Sequence, residues 1–68
     1  MNAQTLIYDS AGAMCRNAAF EIADMLEDFA AEDRTVSNSS FAAAQTHLRR
    51  AMELLHTAAD RFYAEGGD

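Results

Sequence analysis

Residues 41–62 constrain the fold of this chain more than any other stretch. Their apolar residues recur at alternating spacings of three and four, and every second one is an alanine. This spacing is the heptad seam of a helix that packs along another helix, and small alanine side chains let two helix axes approach closely. The seam consists of Phe41, Ala44, Leu48, Ala51, Leu55, Ala58 and Phe62, and Met52 flanks it.

The first half of the chain carries a second apolar stripe. Its pattern repeats after eleven residues rather than seven, which is typical of a nearly straight helix. The stripe consists of Ile7, Ala11, Met14, Ala18, Ile22, Met25 and Phe29. Gly12 interrupts this helix at a cost of about 1 kcal/mol relative to alanine, or marks a close backbone approach. We expect the stripe to pack against the seam of the second helix.

A polar run between the two stripes predicts the turn of a hairpin. Residues 34–40 read RTVSNSS, and Ser and Asn side chains bond their own backbone in competition with a helix. Either Ser37 or Asn38 caps the second helix, and a Ser37 cap would give Val36 and Phe41 hydrophobic-staple spacing. We therefore predict one domain with a first helix at about 3–33, a loop at 34–38 and a second helix at about 39–65.

The two ends of the hairpin are less constrained. We favour a first helix that begins within the first few residues, capped by Asn2 or Thr5. The alternative is an extended arm over residues 1–8, with Asp9 or Ser10 as the cap. At the other end, Gly66 and Gly67 are expected to stop the second helix because glycine accepts the left-handed conformation.

Length and composition favour self-association. A chain of 68 residues buries only about 60% of its unfolded surface, so small domains usually need disulfides, a metal or oligomerisation. Cys15 is the only cysteine, which excludes an internal disulfide and suits a reducing compartment. Each stripe is also wide enough for more than one neighbour. The sequence thus predicts an all-α antiparallel hairpin that forms a homodimeric four-helix bundle in the cytoplasm.

Charge narrows the choice of partners. The net charge is −6, with five arginines and no lysine, whereas contacts to nucleic-acid phosphates need clustered basic side chains. No apolar run approaches the roughly 20 residues that span a bilayer, and no signal peptide is recognisable. We therefore expect no direct binding to nucleic acid or membrane, and we expect a protein partner with a basic surface.

The far side of the first helix is the predicted partner-binding face. At about 100° per residue, Phe20 projects roughly 160° away from Ala18. An aromatic side chain within a polar rim is typical of a binding hot spot. The predicted face consists of Leu6, Ala13, Arg16, Phe20, Asp24 and Glu27. The alternatives are that Phe20 serves the dimer interface or has no role.

Acidic side chains crowd the end of the first helix, among them Asp24 and Glu27. Carboxylates near a helix C-terminus oppose the macrodipole at a cost of about 0.3–1 kcal/mol each, so stability alone does not explain them. A basic partner surface would use them, and the alternative is a solvated face that keeps the protein soluble.

Enzymatic and metal-binding functions are disfavoured. Glu53 and His56 have the Glu-x-x-His spacing of dimetal bundles, and Glu21 is a further potential ligand. Both Glu53 and His56, however, are predicted to lie outside the seam. The serines lack a nucleophile elbow, and no glycine-rich phosphate loop is present. We expect no catalytic residue, cofactor or metal.

The turn and second helix carry a family resemblance. The run Thr35-Val36-x-Asn38-x-Ser40-Phe41, followed by Ala44, Leu48, Ala51 and Leu54, resembles the small anti-activator proteins of temperate phages, of the anti-quorum-sensing type. The resemblance implies a phage-encoded dimeric hairpin that inhibits a host transcriptional activator, with a pilus-assembly ATPase as a second possible target. It does not extend to the first helix, and no binding residue is carried over from it.

Overall fold

A computed structural model describes residues 3–36 and 38–67 and gives an antiparallel pair of helices. Helix α1 spans Ala3–Val36 and helix α2 spans Ser39–Gly66. The hairpin measures 51 × 14 × 10 Å, so it is long and only one helix thick. The described residues form helices and no strands, which confirms the prediction of an all-α helical hairpin.

Helix α1 is longer than the sequence predicts at its C-terminal end. It continues through residues 34–36, where a loop was expected, and the Thr35 hydroxyl donates to the carbonyl oxygen of Ala31 at 3.2 Å. Arg34 lies in the last turn, where a cation interacts favourably with the helix dipole. Among the described residues between the two helices, the break in helical structure therefore falls at Asn38.

The beginning of α1 excludes an extended arm over residues 3–8. The helix is already formed at Ala3, so Thr5, Asp9 and Ser10 lie inside it and are not its cap. The alternative cap, Asn2, lies outside the described residues.

Asn38 is the N-cap of α2. Its backbone is extended (φ −111°, ψ 131°), and its side-chain oxygen accepts a hydrogen bond of 2.7 Å from the Ser40 N–H. Its carbonyl oxygen also accepts from the Phe41 N–H at 3.0 Å. Of the two predicted caps, Asn38 is therefore the one that caps α2. The hydrophobic-staple spacing of Val36 and Phe41 requires a cap at Ser37, so it does not apply. Ser37 itself lies outside the described residues.

Removing this cap should have a measurable cost. We expect Asn38→Ala to lower the free energy of unfolding by about 1 kcal/mol, because a first-turn N–H loses its acceptor. The matched control is Ser39→Ala, one residue further along. Thermal denaturation followed by circular dichroism measures both, and equal melting temperatures for the two variants would contradict the capping role.

The C-terminal glycines serve a different purpose from the predicted one. Gly67 has φ −82° and ψ −4°, so the predicted left-handed conformation is wrong at this residue. Its N–H donates to the Tyr63 carbonyl oxygen at 2.9 Å. Gly66 is the last residue of α2 and is buried, and a Cβ atom added there would lie 2.9 Å from Cβ of Tyr8. Gly66 therefore lets the start of α1 approach the end of α2.

The predicted seam of α2 does face α1. All seven of its residues are half-buried, and so is the flanking Met52. Two aromatic contacts align the helices: Phe29 meets Phe41 edge-to-face at 5.7 Å near the turn, and Tyr8 stacks with Phe62 at 6.3 Å near the open end. The most buried residues, however, are Ala59 and Gly66, which lie one position around the helix from the predicted alanine series.

The stripe of α1 that faces α2 differs from the predicted one. Ile22 and Phe29 belong to it and Ala18 borders it, but Ile7, Met14 and Met25 are exposed. Their predicted packing against α2 is wrong for the single hairpin. The residues that approach α2 follow a heptad pattern of buried and half-buried positions: Tyr8, Gly12, Cys15, Ala19, Ile22, Leu26 and Phe29. Small residues permit the closest approach of two helices, so the helix is rotated toward Gly12 and Ala19.

The hairpin has almost no core of its own. Ala19 and Ala59 are the fully buried apolar residues among those described, and no large side chain there is completely buried. The accessible surface is 4869 Å², whereas a globular monomer of this mass exposes about 4200 Å². An isolated chain of this shape leaves much apolar surface in contact with water.

Candidate functional site

The predicted binding face lies beside α2 rather than opposite to it. Phe20 is 56% exposed, and its ring meets the His56 ring edge-to-face at a centroid distance of 6.3 Å. Because Ala19 is fully buried against α2, Phe20 is turned only about 100° from the contact line. The predicted exposure of Phe20 is confirmed, and its predicted position far from α2 is wrong.

A cation–π contact lies one turn before Phe20 on the same side. The guanidinium carbon of Arg16 is 4.8 Å from the ring centroid of Tyr63. The ring lies over Gly12, where an added Cβ atom would be 2.9–3.1 Å from three of its carbon atoms. Such contacts contribute about 0.5–1 kcal/mol at exposed sites. The contact restrains Arg16 next to Phe20 and connects this side of α1 to α2.

The other predicted residues are exposed, but they do not form one compact patch. Leu6, Ala13 and Phe20 are spaced seven residues apart, which places Leu6 about 21 Å from Phe20 along the helix axis. Asp24 and Glu27 follow Phe20 by one and two turns and are exposed. We call the part that the structure brings together the polar face. It consists of Arg16, Phe20, Asp24, Glu27, His56 and Tyr63.

Two members of the polar face were not predicted, namely His56 and Tyr63. The sequence places His56 in a Glu-x-x-His spacing, and no pattern in it marks Tyr63 as part of a binding face. Their positions depend on how α1 is rotated about its axis. Gly12 could have indicated this rotation, because a glycine inside a helix can mark the place where an aromatic ring from the neighbouring helix lies.

The opposite side of the hairpin carries an apolar face. We use this name for the exposed side chains Ile7, Met14, Met25 and Val36 of α1 and Leu54 of α2. On α1 the first three lie about 120–140° around the axis from Phe20, and Leu54 lies about 160° from His56 on α2. Since Phe20 and His56 touch, these residues share the other side of the hairpin. Three of the seven residues of the predicted α1 stripe, Ile7, Met14 and Met25, are therefore exposed to solvent on this side.

A shallow groove of about 420 Å³ borders the apolar face along α2. Leu54, Ala58 and Phe62 supply its apolar lining, and Arg61 and Glu65 stand at its edge with Thr57. The groove is wide open and contains no cluster of convergent polar groups. Its shape suits an apolar side chain from another helix better than a polar small molecule.

The structure offers no geometry for metal chemistry among the residues it describes. Within residues 3–36 and 38–67, no group of three or more His, Cys, Asp or Glu side chains is arranged to hold an ion. Glu53 instead pairs with Arg50 at 3.6 Å, and both side chains are largely exposed. The His56 ring packs against the Phe20 ring, and this contact accounts for the position of His56 without a metal ion.

Neither helix contains, over the described residues, a segment long and apolar enough to cross a membrane.

Comparison of the chain with protein-family models, with curated proteins and with solved structures finds no match. The resemblance to phage anti-activators therefore stays a prediction, and the function has to be argued from the two faces of the hairpin.

Proposed function

We propose that this chain is a small acidic interaction protein, without catalytic activity, whose polar face binds and inhibits another protein. The observation that carries the proposal is the half-exposed ring of Phe20, which is braced by a second helix and surrounded by charged side chains. Rigid aromatic anchors within polar rims dominate the energy of many protein interfaces.

The contacts around Phe20 favour binding because they reduce the entropy lost on association. His56 limits the rotation of the Phe20 ring, and Tyr63 limits the freedom of Arg16. Immobilising a flexible side chain at an interface costs about 0.5–1.5 kcal/mol, and a side chain that is already held avoids part of that cost. The polar face is thus partly ordered before a partner arrives.

Charge favours a basic partner. The chain carries a net charge of −6, and Asp24 and Glu27 are exposed beside Phe20. Complementary charge mainly accelerates the encounter and rejects wrong partners. A host transcriptional activator with a basic DNA-binding domain meets this requirement, and the family resemblance of the turn and α2 names the same class of target, with a phage as the source of the gene.

A purely structural role is the second candidate, in which self-association is the whole function. The apolar face supports it, because exposed apolar surface of this kind usually marks an interaction site. The two candidates differ in their use of the polar face: a structural protein would tolerate changes there, whereas an inhibitor would not.

The test is affinity capture from a lysate of the host cell. We expect Phe20→Ala, and separately Asp24→Arg with Glu27→Arg, to reduce recovery of a specific partner by about tenfold or more, the loss that removal of a hot-spot side chain causes. The control is Leu6→Ala, which shortens an apolar side chain of similar exposure that lies about 21 Å from Phe20 along the helix axis. Helicity and native mass should be unchanged in all variants.

Inhibition is then measured with the captured protein. If it is a transcription factor, the wild-type chain should displace it from its DNA and the Phe20→Ala chain should not. Equal capture by wild type and both polar-face variants would refute the assignment of this face and favour the structural role.

A further inference from the structure

The isolated hairpin lacks what a stable fold of this size needs. Across residues 3–36 and 38–67, the fully buried apolar residues are two alanines, and the accessible surface exceeds that of a globular monomer by roughly 650 Å². Each partner in a standard protein interface buries about 800 Å². The surplus is therefore comparable to one side of such an interface, and the apolar face supplies exposed apolar side chains that an interface could bury.

We propose that the apolar face binds a second copy of the chain, with α1 of each copy lying across α2 of the other. This inference goes beyond the proposed function, because it assigns the two faces of the hairpin to different occupants. It leaves Phe20 outside the interface between copies. It also requires no partner protein, so its failure and that of the proposed function are separately measurable.

Side-chain sizes on the two helices favour this crossed arrangement. On the apolar side, α1 presents the exposed side chains of Met14 and Met25. On the same side α2 presents Ala51 and Ala58, which are half-buried. The register of the antiparallel pair places Met25 level with about residue 50 and Met14 level with about residue 61. Large side chains of one helix can therefore pack over the small ones of the other, which is the complementarity that helix packing requires.

The register of the hairpin brings Met14 level with the groove. Gly12 lies against Tyr63, and Tyr8 lies against Gly66. Moving two residues along α1 from Gly12 reaches Met14, which is then level with about residue 61 of the antiparallel helix. The groove is lined by residues 54–65. A two-fold axis parallel to the helices preserves these levels, so Met14 of one copy would enter the groove of the other, and both turns would lie at the same end of the bundle.

Adjacent residues on α1 provide matched variants for the test. Met14 is 69% exposed and lies on the apolar face, whereas Ala13 is exposed on the other side. We expect the wild type to have twice the mass of one chain in sedimentation equilibrium. Met14→Glu should weaken self-association by about tenfold or more, because an unpaired carboxylate is costly to bury in an apolar contact. Ala13→Glu should leave self-association unchanged.

A second pair extends the test toward the turn. Met25 is 41% exposed on the apolar face, and Ala31 is exposed on the side of Phe20. Met25→Glu should weaken self-association and Ala31→Glu should not. A monomeric wild type, or equal effects of the two members of either pair, would overturn the proposal.

Disulfide trapping keeps the proposal testable even if a glutamate variant fails to fold. Two chains are prepared in a Cys15→Ala background, one with Met25→Cys and the other with Ala51→Cys, and they are mixed and oxidised. The crossed arrangement predicts a mixed disulfide between the two chains, identified by its mass on a non-reducing gel and in mass spectrometry. Disulfides between identical chains in place of the mixed one, or no disulfide at all, would overturn the crossed arrangement.

Discussion

Replacing Ala19 or Ala59 by leucine should lower the free energy of unfolding by about 1–3 kcal/mol, the usual cost of overpacking a close contact. Both alanines are fully buried between the helices, so the added atoms can be accommodated only if α1 and α2 move apart. For a domain of this size, each kcal/mol corresponds to a decrease of about 4–8 °C in melting temperature. Thermal denaturation at one fixed protein concentration measures the effect, because association shifts apparent stability.

The controls are alanines that lie on the same helices but face solvent. Ala31 of α1 and Ala64 of α2 are exposed, and leucine at either should change the stability by less than about 0.5 kcal/mol. Leucine is as good a helix former as most residues, so helix propensity does not separate the two sets. If the buried and exposed variants melted at the same temperature, Ala19 and Ala59 would not be at the closest approach of the helices.

Periodicity predicts α2 well. Its seam from Phe41 to Phe62 is half-buried along its whole length, although Ala59 and Gly66, outside that seam, are the most buried residues. The N-cap, Asn38, is one of the two residues that the sequence offered for it. These features are local: a heptad seam and an N-cap are set by residues within a few turns of one another. The same holds for the position of the turn, although helix α1 continues three residues further than expected.

The orientation of α1 could not be predicted in the same way. An apolar stripe shows that a side of a helix avoids water, but it does not show which neighbour covers that side. Counting apolar residues selects Ile7, Met14 and Met25, whereas close packing selects Gly12 and Ala19, because the smallest residues permit the shortest distance between helix axes. In the structure the small residues lie against α2 and the large ones are exposed.

The candidate site follows from that rotation. Exposure of Phe20 could be predicted from its position outside the apolar stripe. Its contact with His56, and that of Arg16 with Tyr63, could not, because both depend on a turn of α1 about its own axis. A shift of one residue, about 100°, moves Phe20 from the far side of the hairpin to the edge of α2.

Gly12 offers the sharpest test of this account, because helix propensity and packing predict opposite signs. By propensity alone, Gly12→Ala should stabilise the protein by about 1 kcal/mol. In the structure the new Cβ would lie 2.9 Å from Cζ of Tyr63, so the ring has to move and its contact with Arg16 is lost. We expect a net loss of about 1 kcal/mol in the wild-type background, since overpacking costs more than the propensity gain.

Removing the ring should reverse that sign. In a Tyr63→Ala background, Gly12→Ala meets no aromatic side chain and should stabilise the protein by about 1 kcal/mol through helix propensity. The double-mutant cycle then gives a coupling of about 2 kcal/mol, within the range for residues in direct contact. Urea denaturation of the four proteins at equal concentration measures it. The same effect of Gly12→Ala in both backgrounds would mean that the Tyr63 ring does not lie on Gly12, and the rotation of α1 that forms the polar face would then be wrong as well.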